Sequence, residues 1–324
     1  MNDRQQLCWW VETHYEFENV TLEKVVEGLD PSKHNYYVLS DDVRRAVLTA
    51  YPPDSTPSDL GDLVEILLAL QQKDYPAAQI IPADAGAPIF EVDGWRLLLT
   101  SYADGFPVQP DIPTFKRVGA LLGRLHTVFM AGELSRLPAA ERTFAQQVGQ
   151  TREKLESVRD RLPEAHAPLW RAVEAALAQM QACDDLPDVL IHNDFHLTNI
   201  INTSANELKV IDWDGAGRGP AVADLGFLLS AAHPRPQDGE STRPNPERIE
   251  AIVTGYGQHR RLSAGELACL PDAVRLRVLE RLASNLVALV EQGDLDVEQP
   301  WWLARFATAD ETARLAQAAF ERLS

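Results

Sequence analysis

Residues 191–199 read Ile191-His192-Asn193-Asp194-Phe195-His196-Leu197-Thr198-Asn199, and residues 210–214 read Val210-Ile211-Asp212-Trp213-Asp214. In both segments apolar residues precede polar ones, which predicts strands that anchor in a core and end in fixed polar tips. Asn199–Asn202 and Leu208–Ile211 are predicted to be the two strands of a short hairpin. Such a hairpin returns Asp212 to the side of Asn199, and the loop beginning at Asp194 brings a carboxylate to the same place.

These three oxygen-bearing side chains match the needs of phosphoryl transfer. Mg²⁺ prefers carboxylate and amide oxygens as ligands, and it neutralises the charge of a triphosphate. An attacking hydroxyl needs a positioned acceptor for its proton. The alternative is a turn region rich in Asp and Asn that carries no chemistry. That alternative leaves several oxygen groups between buried apolar flanks without a purpose.

The same residues resemble the catalytic core of the aminoglycoside phosphotransferase family, which includes choline-kinase-like and homoserine-kinase-like members. The family pattern is His-Gly-Asp-x-His-x-x-Asn, then Ile-Asp-Trp-x-x-Ala-x-x-Gly-Pro-x-x-x-Asp-Leu. Residues 192–199 and 211–225 follow it at fixed spacing, with Asn193 in place of the glycine. Asparagine tolerates a positive φ better than most residues, so this departure is compatible with the pattern.

The resemblance implies an α+β, protein-kinase-like, two-lobed fold. The order of predicted elements agrees, with a small antiparallel sheet followed by a large, mainly helical part that holds one β-hairpin. Residues 1–101 are expected to form the N-lobe, a nucleotide-binding sheet with one helix. Residues 102–324 are expected to form the helical C-lobe, with the catalytic loop and the acceptor site.

The resemblance also implies roles for individual residues. Asp194 resembles the catalytic base that orients the acceptor hydroxyl, and Asn199 and Asp212 resemble the Mg²⁺ ligands. Asp224 resembles an aspartate that braces the catalytic loop, with His192 as a second loop-fixing residue. For His196 two interpretations stay open, contact with the substrate or simple packing. Asp214 is either a second support for metal or substrate, or a solvated turn residue.

The residues expected to bind the nucleotide depart from the kinase pattern at one position. Kinases of this fold carry a basic residue on the third strand, paired with a helix glutamate, and here that position is Thr49. Lys33, in the loop of residues 28–35 expected to cover the phosphates, is either a substitute cation or an exposed loop lysine. Glu65 is the candidate helix glutamate, or else it faces solvent. Ser101, Tyr102 and Ala103 form the predicted hinge that offers backbone groups to the purine of ATP or GTP.

Several elements around this core are predicted from pattern alone. The segments 36–39 and 45–51 are expected to pair as a hairpin through a turn at 40–42, and Asp93-Gly94 is a strong two-residue hairpin turn. Apolar residues at helical spacing predict helices at 60–68, 115–130, 144–161 and 169–182. The segment 1–18 could either pack on the N-lobe or lie free.

Composition limits the classes of function. The chain has 324 residues, 45% of them hydrophobic, and a formal net charge of -18. Such an acidic chain repels phosphate backbones, so nucleic acid is not an expected partner. No apolar run has the length of a membrane span, and three distant cysteines favour a reducing cytoplasm. The oligomeric state is left open.

The function expected from these observations is phosphorylation of a small molecule. ATP or GTP is the donor, and the acceptor is an alcohol such as an aminoglycoside-like antibiotic, an amino alcohol or a sugar. The acidic balance either serves solubility or leans toward a cationic acceptor. Late acidic residues including Glu280, with the faces of Trp301 and Trp302, could bind such a cation, or they are solvated acids and packing tryptophans. The competing interpretation, based on Thr49, is a catalytically silent binding protein. Phosphorylation of protein side chains is disfavoured, because the interval from Asp212 to Asp224 has no room for a regulated activation segment.

Overall fold

The computed structural model of the chain describes residues 3–25, 33–55, 60–181, 183, 185–232, 243–293 and 299–323. These residues form two compact units. The first unit contains Met1–Pro107 and Ile201–Asp214, and the second contains Val108–Ile200 and Gly215–Ser324. Within the described residues, no helix is both long and apolar enough to cross a membrane.

The first unit is built on a five-stranded antiparallel sheet. Its strands are β1 (Val20–Lys24), β2 (His34–Ser40), β3 (Val43–Tyr51), β4 (Phe90–Val92) and β5 (Trp95–Ser101), in the order β1-β2-β3-β5-β4. Helices α1 (Asp3–His14) and α2 (Leu60–Gln72) belong to the same unit. The hairpin predicted at 36–51 is present as β2 and β3, and the helix predicted at 60–68 is present as α2. Helix α1 and strand β1 were not predicted.

Two tight turns set the register of this sheet. Asp41 and Asp42 between β2 and β3 have φ values of 50° and 60°, and Asp93 and Gly94 between β4 and β5 have values of 50° and 81°. Positive φ at both central residues is the turn geometry that matches the twist of paired strands, and Asp and Gly adopt it at low cost. Both sequence-predicted turns are confirmed.

The amino-terminal helix packs on the sheet. Leu7, Trp10 and Val11 of α1 are buried in one cluster with Leu48 of β3 and Leu97 of β5. Full burial of an aromatic or branched side chain stabilises a fold by roughly 1.5–3 kcal/mol. The segment 3–14 is thus part of the core of the first unit, which decides between the two alternatives that the sequence left open.

A second small sheet carries the predicted hairpin. Its strands are β6 (Gly105–Pro107), β8 (Ile200–Thr203) and β9 (Leu208–Val210), in the order β6-β8-β9. Gly105 lies so close to β8 that a Cβ there would stand 2.2 Å from the carbonyl oxygen of Asn202. Val210 donates its backbone N–H to the carbonyl of Pro76 at 2.8 Å, which ties the hairpin to the rest of the first unit.

The second unit is mainly helical. Its helices are α3 (Ile112–Leu125), α4 (Ala131–Leu134), α5 (Phe144–Val158), α6 (Ala167–Ala178), α7 (Val222–Ala231), α8 (Pro246–Tyr256), α9 (Ala264–Gln292) and α10 (Gln299–Arg322). Strands β7 (Asp188–Ile191) and β10 (Gly217–Pro220) pair antiparallel within it. The sequence predicted β7 but not its partner, because Gly217-Arg218-Gly219-Pro220 has none of the β-branched or aromatic residues typical of strands.

Helices α3 and α8 approach each other closely through glycines. A Cβ at Gly119 of α3 would stand 2.2 Å from the carbonyl oxygen of Ile252, and one at Gly255 of α8 would stand 2.0 Å from that of Lys116. Any larger side chain would force the helices apart. This contact brings the end of α8 beside the end of α3, where supports of the loop after β7 lie.

Candidate active site

The loop after β7 is held from beneath by one buried carboxylate. Asp224 on α7 is 0% exposed, and its two oxygens accept hydrogen bonds of 2.8 Å from the backbone N–H groups of His192 and Asn193. Asn193 has a φ of 64°, as its place in the glycine position of the motif predicts. Its side chain accepts a hydrogen bond of 2.9 Å from Gln147 of α5. The loop conformation is therefore fixed by backbone and side-chain bonds together.

Asp224 is itself part of a buried polar network. His126, just after α3, lies 3.2 Å from Asp224 through Nε2 and 3.0 Å from the Tyr256 hydroxyl through Nδ1. Arg260 donates to the Tyr256 oxygen at 3.2 Å and to Glu266 at 2.7 Å. Glu266 also accepts the backbone N–H of Ser263 and so caps the start of α9. Helices α3, α7, α8 and α9 are thus joined beneath the loop.

Burial lowers the pKa of His126 below its usual value, although its hydrogen bond and charge interaction with Asp224 oppose this shift. The imidazole is therefore neutral near pH 7. A neutral imidazole beside a carboxylate donates through the nitrogen that faces it, so Nε2 carries the proton and Nδ1 accepts from Tyr256. Burial also raises the pKa of the Tyr256 phenol, which keeps that hydroxyl a donor.

Asp194 lies at the tip of this loop with its side chain partly open to solvent, at 44% exposure. Its Oδ2 accepts a hydrogen bond of 3.0 Å from Asn199 Nδ2 and lies 3.3 Å from His196 Nε2. Backbone bonds from His196 to the Asp194 carbonyl and from Asn199 to the His196 carbonyl close the loop in tight turns. The carboxylate is held in one orientation and stays accessible.

The pKa of the Asp194 carboxyl lies below its ordinary value. Burial acts in the opposite direction, but the hydrogen bond and charge of His196, the charge of His192 and the hydrogen bond from Asn199 outweigh it. The group is therefore ionised at neutral pH. An ionised, fixed and accessible carboxylate can accept a hydrogen bond from an incoming hydroxyl and orient its oxygen for attack.

The structure shows the packing contacts of His196, and contact with the substrate stays a prediction. Its Nδ1 lies 2.6 Å from the Thr198 hydroxyl, and its ring centroid lies 6.4 Å from that of Phe227 on α7. Its side chain remains 36% exposed. The ring thus packs within the second unit and also presents an open edge beside Asp194.

Two hydrogen bonds from its nitrogen hold the side-chain amide of Asn199 in one orientation. Nδ2 donates to the Asp194 carboxylate at 3.0 Å and to the Asp194 backbone carbonyl at 3.1 Å. Because both bonds use the nitrogen, the amide oxygen points away from Asp194 and has the chemistry of a Mg²⁺ ligand. No group of three His, Cys, Asp or Glu side chains in the described ranges could hold a metal ion. A site made of one amide and one carboxylate, completed by phosphate oxygens, needs no such group.

Asp212 follows β9 in the first unit. It is exposed and has a φ of 67°. A positive φ is uncommon outside glycine, and such strained positions cluster at functional sites. Strand β9 ends at Val210, and Asp214 lies in the next turn, so Asp212 and Asp214 do not share the face of one strand. Trp213 between them is buried and packs edge-on against Tyr75.

Lys33 and Asp214 form an ion pair within the first unit. The lysine side chain is only 13% exposed, whereas Asp214 is 45% exposed. Lys33 immediately precedes β2, whose Asn35 is the register partner of Thr49 on β3. Lys33 is therefore two residues along the chain from the register partner of the strand position that lacks a cation. Residues 28–32 of the predicted covering loop lie outside the described residues, and Glu65 on α2 faces solvent.

The predicted hinge is at the end of β5. The N–H of Ser101 donates to the Gln79 carbonyl at 2.8 Å, and the N–H of Tyr102 donates to the Arg45 carbonyl at 3.1 Å. The Tyr102 ring lies edge-on to Tyr37 with centroids 5.7 Å apart. The N–H groups of Ser101 and Tyr102 are therefore already paired. The backbone groups of the hinge that a ligand could bind are the carbonyls of residues 101–102 and the backbone of Ala103.

Sequence reasoning missed the supports of the loop. His126, Gln147 and Tyr256 come from helices far apart in the chain, and each looks like an ordinary residue of an amphipathic helix. The one available signal was a polar residue on an otherwise apolar helix face, which indicates a buried partner without naming it.

Residues 22–265 match the phosphotransferase enzyme family, whose short name is APH. The match covers most of the chain and includes the loop, the hairpin and the bracing aspartate described above. The chain belongs to this family.

Related proteins act on different acceptors. Homoserine kinase from Rhodopseudomonas palustris (strain TIE-1) is 24% identical over 272 residues, which cover 83% of this chain and 79% of that protein. Serine/threonine protein kinase RdoA from Salmonella typhimurium (strain LT2) is 23% identical over 271 residues, which cover 82% of this chain and 78% of that protein.

Solved structures share the fold. Spectinomycin phosphotransferase, in complex with ADP and spectinomycin, superposes with a TM-score of 0.65 at 16% identity, covering 97% of this chain and 98% of that chain. A microcompartment-associated aminopropanol kinase superposes with a TM-score of 0.55 at 19% identity, covering 99% of this chain and all (100%) of the other. The chain has a kinase-like fold and is a small-molecule kinase, a phosphotransferase with an alcohol group as acceptor.

Proposed function

We propose that this protein transfers the γ-phosphate of ATP or GTP to a hydroxyl group of a small acceptor that carries an amine, with Mg²⁺ as the metal. The observation that carries the proposal is the fixed loop that holds Asp194 ionised, accessible and bonded to Asn199. Among acceptor classes, an amino alcohol agrees with the acidic chain and with the aminopropanol kinase neighbour. A sugar or an aminoglycoside-like antibiotic would be phosphorylated by the same reaction.

Asp194 is proposed to orient the acceptor. Its carboxylate accepts the hydrogen bond of the attacking hydroxyl and takes up the proton as the new P–O bond forms. The bond between the γ-phosphorus and its bridging oxygen breaks in the same transfer, and the nucleoside diphosphate leaves. The bonds from His196 and Asn199 keep the carboxylate in place before the acceptor arrives. Little conformational entropy of this side chain is therefore lost when the acceptor binds. His196, whose open edge lies beside Asp194, borders the acceptor.

Asn199 and Asp212 are proposed as the Mg²⁺ ligands. Asn199 directly precedes β8 and Asp212 follows β9 closely, so in the chain they flank one hairpin. The orientation of the Asn199 amide and the positive φ of Asp212 support this assignment. Bound Mg²⁺ would neutralise charge on the phosphate oxygens.

Lys33 is proposed to supply the cation that β3 lacks at Thr49. Its low exposure and its ion pair with Asp214, in the turn after Asp212, support this role over that of an exposed loop lysine. Asp214 would orient the lysine, as a helix glutamate does in other kinases. The hinge at Ser101, Tyr102 and Ala103 is proposed to bind the purine through backbone groups. The expected cellular setting is the cytoplasm.

A transfer assay tests the proposal. Labelled γ-phosphate from ATP and GTP is offered with Mg²⁺ to amino alcohols, sugars, aminoglycosides and a generic protein substrate. We expect transfer to a small alcohol that falls by roughly 100-fold or more in Asp194→Asn, the range of general-base catalysis. Asp188→Asn is the matched control, because Asp188 is 43% exposed and also ion-paired, to Arg218.

Two outcomes would contradict the proposal. Absence of nucleotide binding by calorimetry would favour the silent binding protein. Transfer to the protein substrate alone would favour the activity named for the Salmonella relative.

A further inference from the structure

The two oxygens of the Asp194 carboxylate have different surroundings. Oδ2 accepts a hydrogen bond of 3.0 Å from Asn199 Nδ2 and lies 3.3 Å from His196 Nε2. No residue in the described ranges donates a hydrogen bond to Oδ1. A carboxylate oxygen accepts about two hydrogen bonds, so Oδ2 is occupied and Oδ1 keeps its full capacity. With the side chain 44% exposed, Oδ1 is the oxygen left for an incoming hydroxyl.

The far nitrogen of the His196 ring contacts Thr198. Nδ1 lies 2.6 Å from the Thr198 hydroxyl, which can donate or accept, so this contact alone does not fix the tautomer. The Asp194 carboxylate is ionised at neutral pH and can only accept. A neutral imidazole beside it therefore carries its proton on Nε2, and Nδ1 accepts the hydrogen bond of Thr198.

The hydroxyl of Thr198 also selects the rotation of the ring. Phe227 lies beside His196, with ring centroids 6.4 Å apart, and the His196 side chain is 36% exposed. Apolar packing of this kind restrains the position of a ring, but the terminal torsion of histidine is broad and is not fixed by it. Two polar contacts at opposite nitrogens do fix it. Thr198 thus keeps Nε2 directed at Asp194.

The shape of the loop does not depend on this contact. The short turn Leu197–Asn199 is closed by its backbone, since the N–H of Asn199 donates to the His196 carbonyl at 3.0 Å. Thr198 is exposed, and most exposed side-chain hydroxyls bond to water or backbone. The family pattern His-Gly-Asp-x-His-x-x-Asn has no fixed residue at this position. The contact is therefore a feature of this chain that neither loop closure nor the motif requires.

We propose that Thr198 is a positioning residue, which acts through His196 to keep Oδ2 of Asp194 occupied and so directs the proton of the acceptor hydroxyl to Oδ1. This inference rests on the kinase function proposed above. As the acceptor oxygen bonds to the γ-phosphorus and the bond to the bridging oxygen breaks, the hydroxyl proton moves to Oδ1. His196 keeps its own proton on Nε2 throughout. Thr198 touches neither substrate nor metal and acts only on the orientation of the carboxylate.

Steady-state kinetics of Thr198→Val test the inference. Valine has nearly the shape of threonine but no hydroxyl, so His196 loses its partner at Nδ1. With Mg²⁺, ATP and a small alcohol that the wild-type protein phosphorylates, we expect kcat to fall roughly 5- to 10-fold, the rate equivalent of one hydrogen bond. The KM values should change less than about twofold, because neither substrate contacts Thr198. Thr198→Ser should restore kcat, whereas an unchanged kcat in Thr198→Val would overturn the inference.

A double-mutant cycle tests whether Thr198 acts through His196. In a His196→Ala background, Thr198→Val should have no further effect, because the contact it supports is already gone. Equal effects of Thr198→Val with and without the imidazole would overturn the inference. The matched control is Thr13→Val, at an exposed threonine of α1 whose hydroxyl donates to the Trp9 carbonyl at 2.7 Å. It should leave kcat unchanged, and melting temperatures show that each variant is folded.

Nitrogen-15 NMR of the histidine rings reads the same contacts without nucleotide, metal or acceptor. Spectra are taken at pH ~8, where free imidazole is neutral, and the His196 signals are assigned by their loss in His196→Gln. We expect the wild-type ring to be protonated on Nε2, and the Nδ1 signal to move in Thr198→Val toward that of a hydrated imidazole. A wild-type ring protonated on Nδ1, or an Nδ1 signal that stays in place in Thr198→Val, would contradict the inference.

The two kinds of measurement separate this inference from the kinase proposal. If small alcohols are phosphorylated and Thr198→Val has the wild-type kcat, the kinase function stands and the inference fails. If no alcohol is phosphorylated while the NMR signals behave as expected, the contacts that position Asp194 stand and the kinase function fails.

Discussion

His126 Nε2 lies 3.2 Å from Asp224 Oδ2, and neither side chain is exposed to solvent. This contact joins the end of α3 to the residue that holds the backbone of His192 and Asn193. The loop after β7 is thus braced by a network whose members come from four helices. A change beneath the loop should affect both stability and activity.

Asp224→Asn should be strongly destabilising. The amide would keep one acceptor oxygen but turn its NH₂ group toward a backbone N–H, which leaves buried donors without acceptors. Breaking a buried charged network from one side costs about 3–5 kcal/mol, so we expect a loss in the free energy of unfolding of roughly that size, measured by urea denaturation. Asp188→Asn is the control, and a loss below about 1 kcal/mol in Asp224→Asn would show that the network does little.

His126 should make stability depend on pH. Its folded pKa lies below the unfolded value of about 6.5, so the unfolded chain binds a proton that the folded chain does not. This contribution is fully present above pH ~6.5 and is lost as the pH falls below that value, at up to about 1.4 kcal/mol per pH unit. Asp224 and Tyr256 contact the ring directly, and the charges of Arg260 and Glu266 also act on it.

Urea unfolding of the wild-type protein and of His126→Gln between pH 5 and pH 8 measures this dependence. The variant should be less stable at pH 8 and should show a flatter fall toward pH 5. His259→Gln, at an exposed position, controls for the loss of a histidine as such. Parallel curves for the wild-type protein and His126→Gln would argue against the assignment.

Lys33→Ala should weaken nucleotide binding. If Lys33 replaces the missing strand cation, removing its charge should raise the KM for ATP by about 10- to 100-fold and leave the acceptor KM nearly unchanged. Lys24→Ala, an exposed lysine at the end of β1, is the control. Adding Thr49→Lys to Lys33→Ala should restore part of the affinity, because it returns the charge to the usual strand. Unchanged nucleotide affinity in Lys33→Ala would reject this role.

Asn193 should be replaceable by glycine and not by alanine. At a φ of 64°, an L residue with a Cβ pays about 1–2 kcal/mol that glycine avoids, and asparagine offsets part of this cost with its bond to Gln147. We expect Asn193→Gly to keep near wild-type activity and Asn193→Ala to lower the melting temperature by several degrees. Thermal unfolding compares the two variants, and equal stability of both would show that the backbone conformation carries no cost.

The motif was enough to predict the family and the fold class, and local turn residues were enough to predict the two hairpin turns. Asp93-Gly94 and Asp41-Asp42 adopt positive φ because Asp and Gly do so at low cost in a tight hairpin turn, and Asn193 tolerates positive φ likewise. The helices α2, α3, α5 and α6 follow from apolar spacing, although α3 ends at Leu125 and not at residue 130. Strand β10 could not be predicted, since its residues form a strand only because β7 lies beside them.

Local sequence was enough to propose the reacting groups: Asp194, Asn199 and Asp212 stand out because a short motif keeps a fixed spacing. Only the tertiary structure decided what supports them and what else lies nearby. His126 contacts both Asp224 and Tyr256, and Lys33 contacts Asp214, in each case between residues far apart in the chain. Periodicity shows which face of a helix is buried, but the partner of a buried polar group depends on how helices pack.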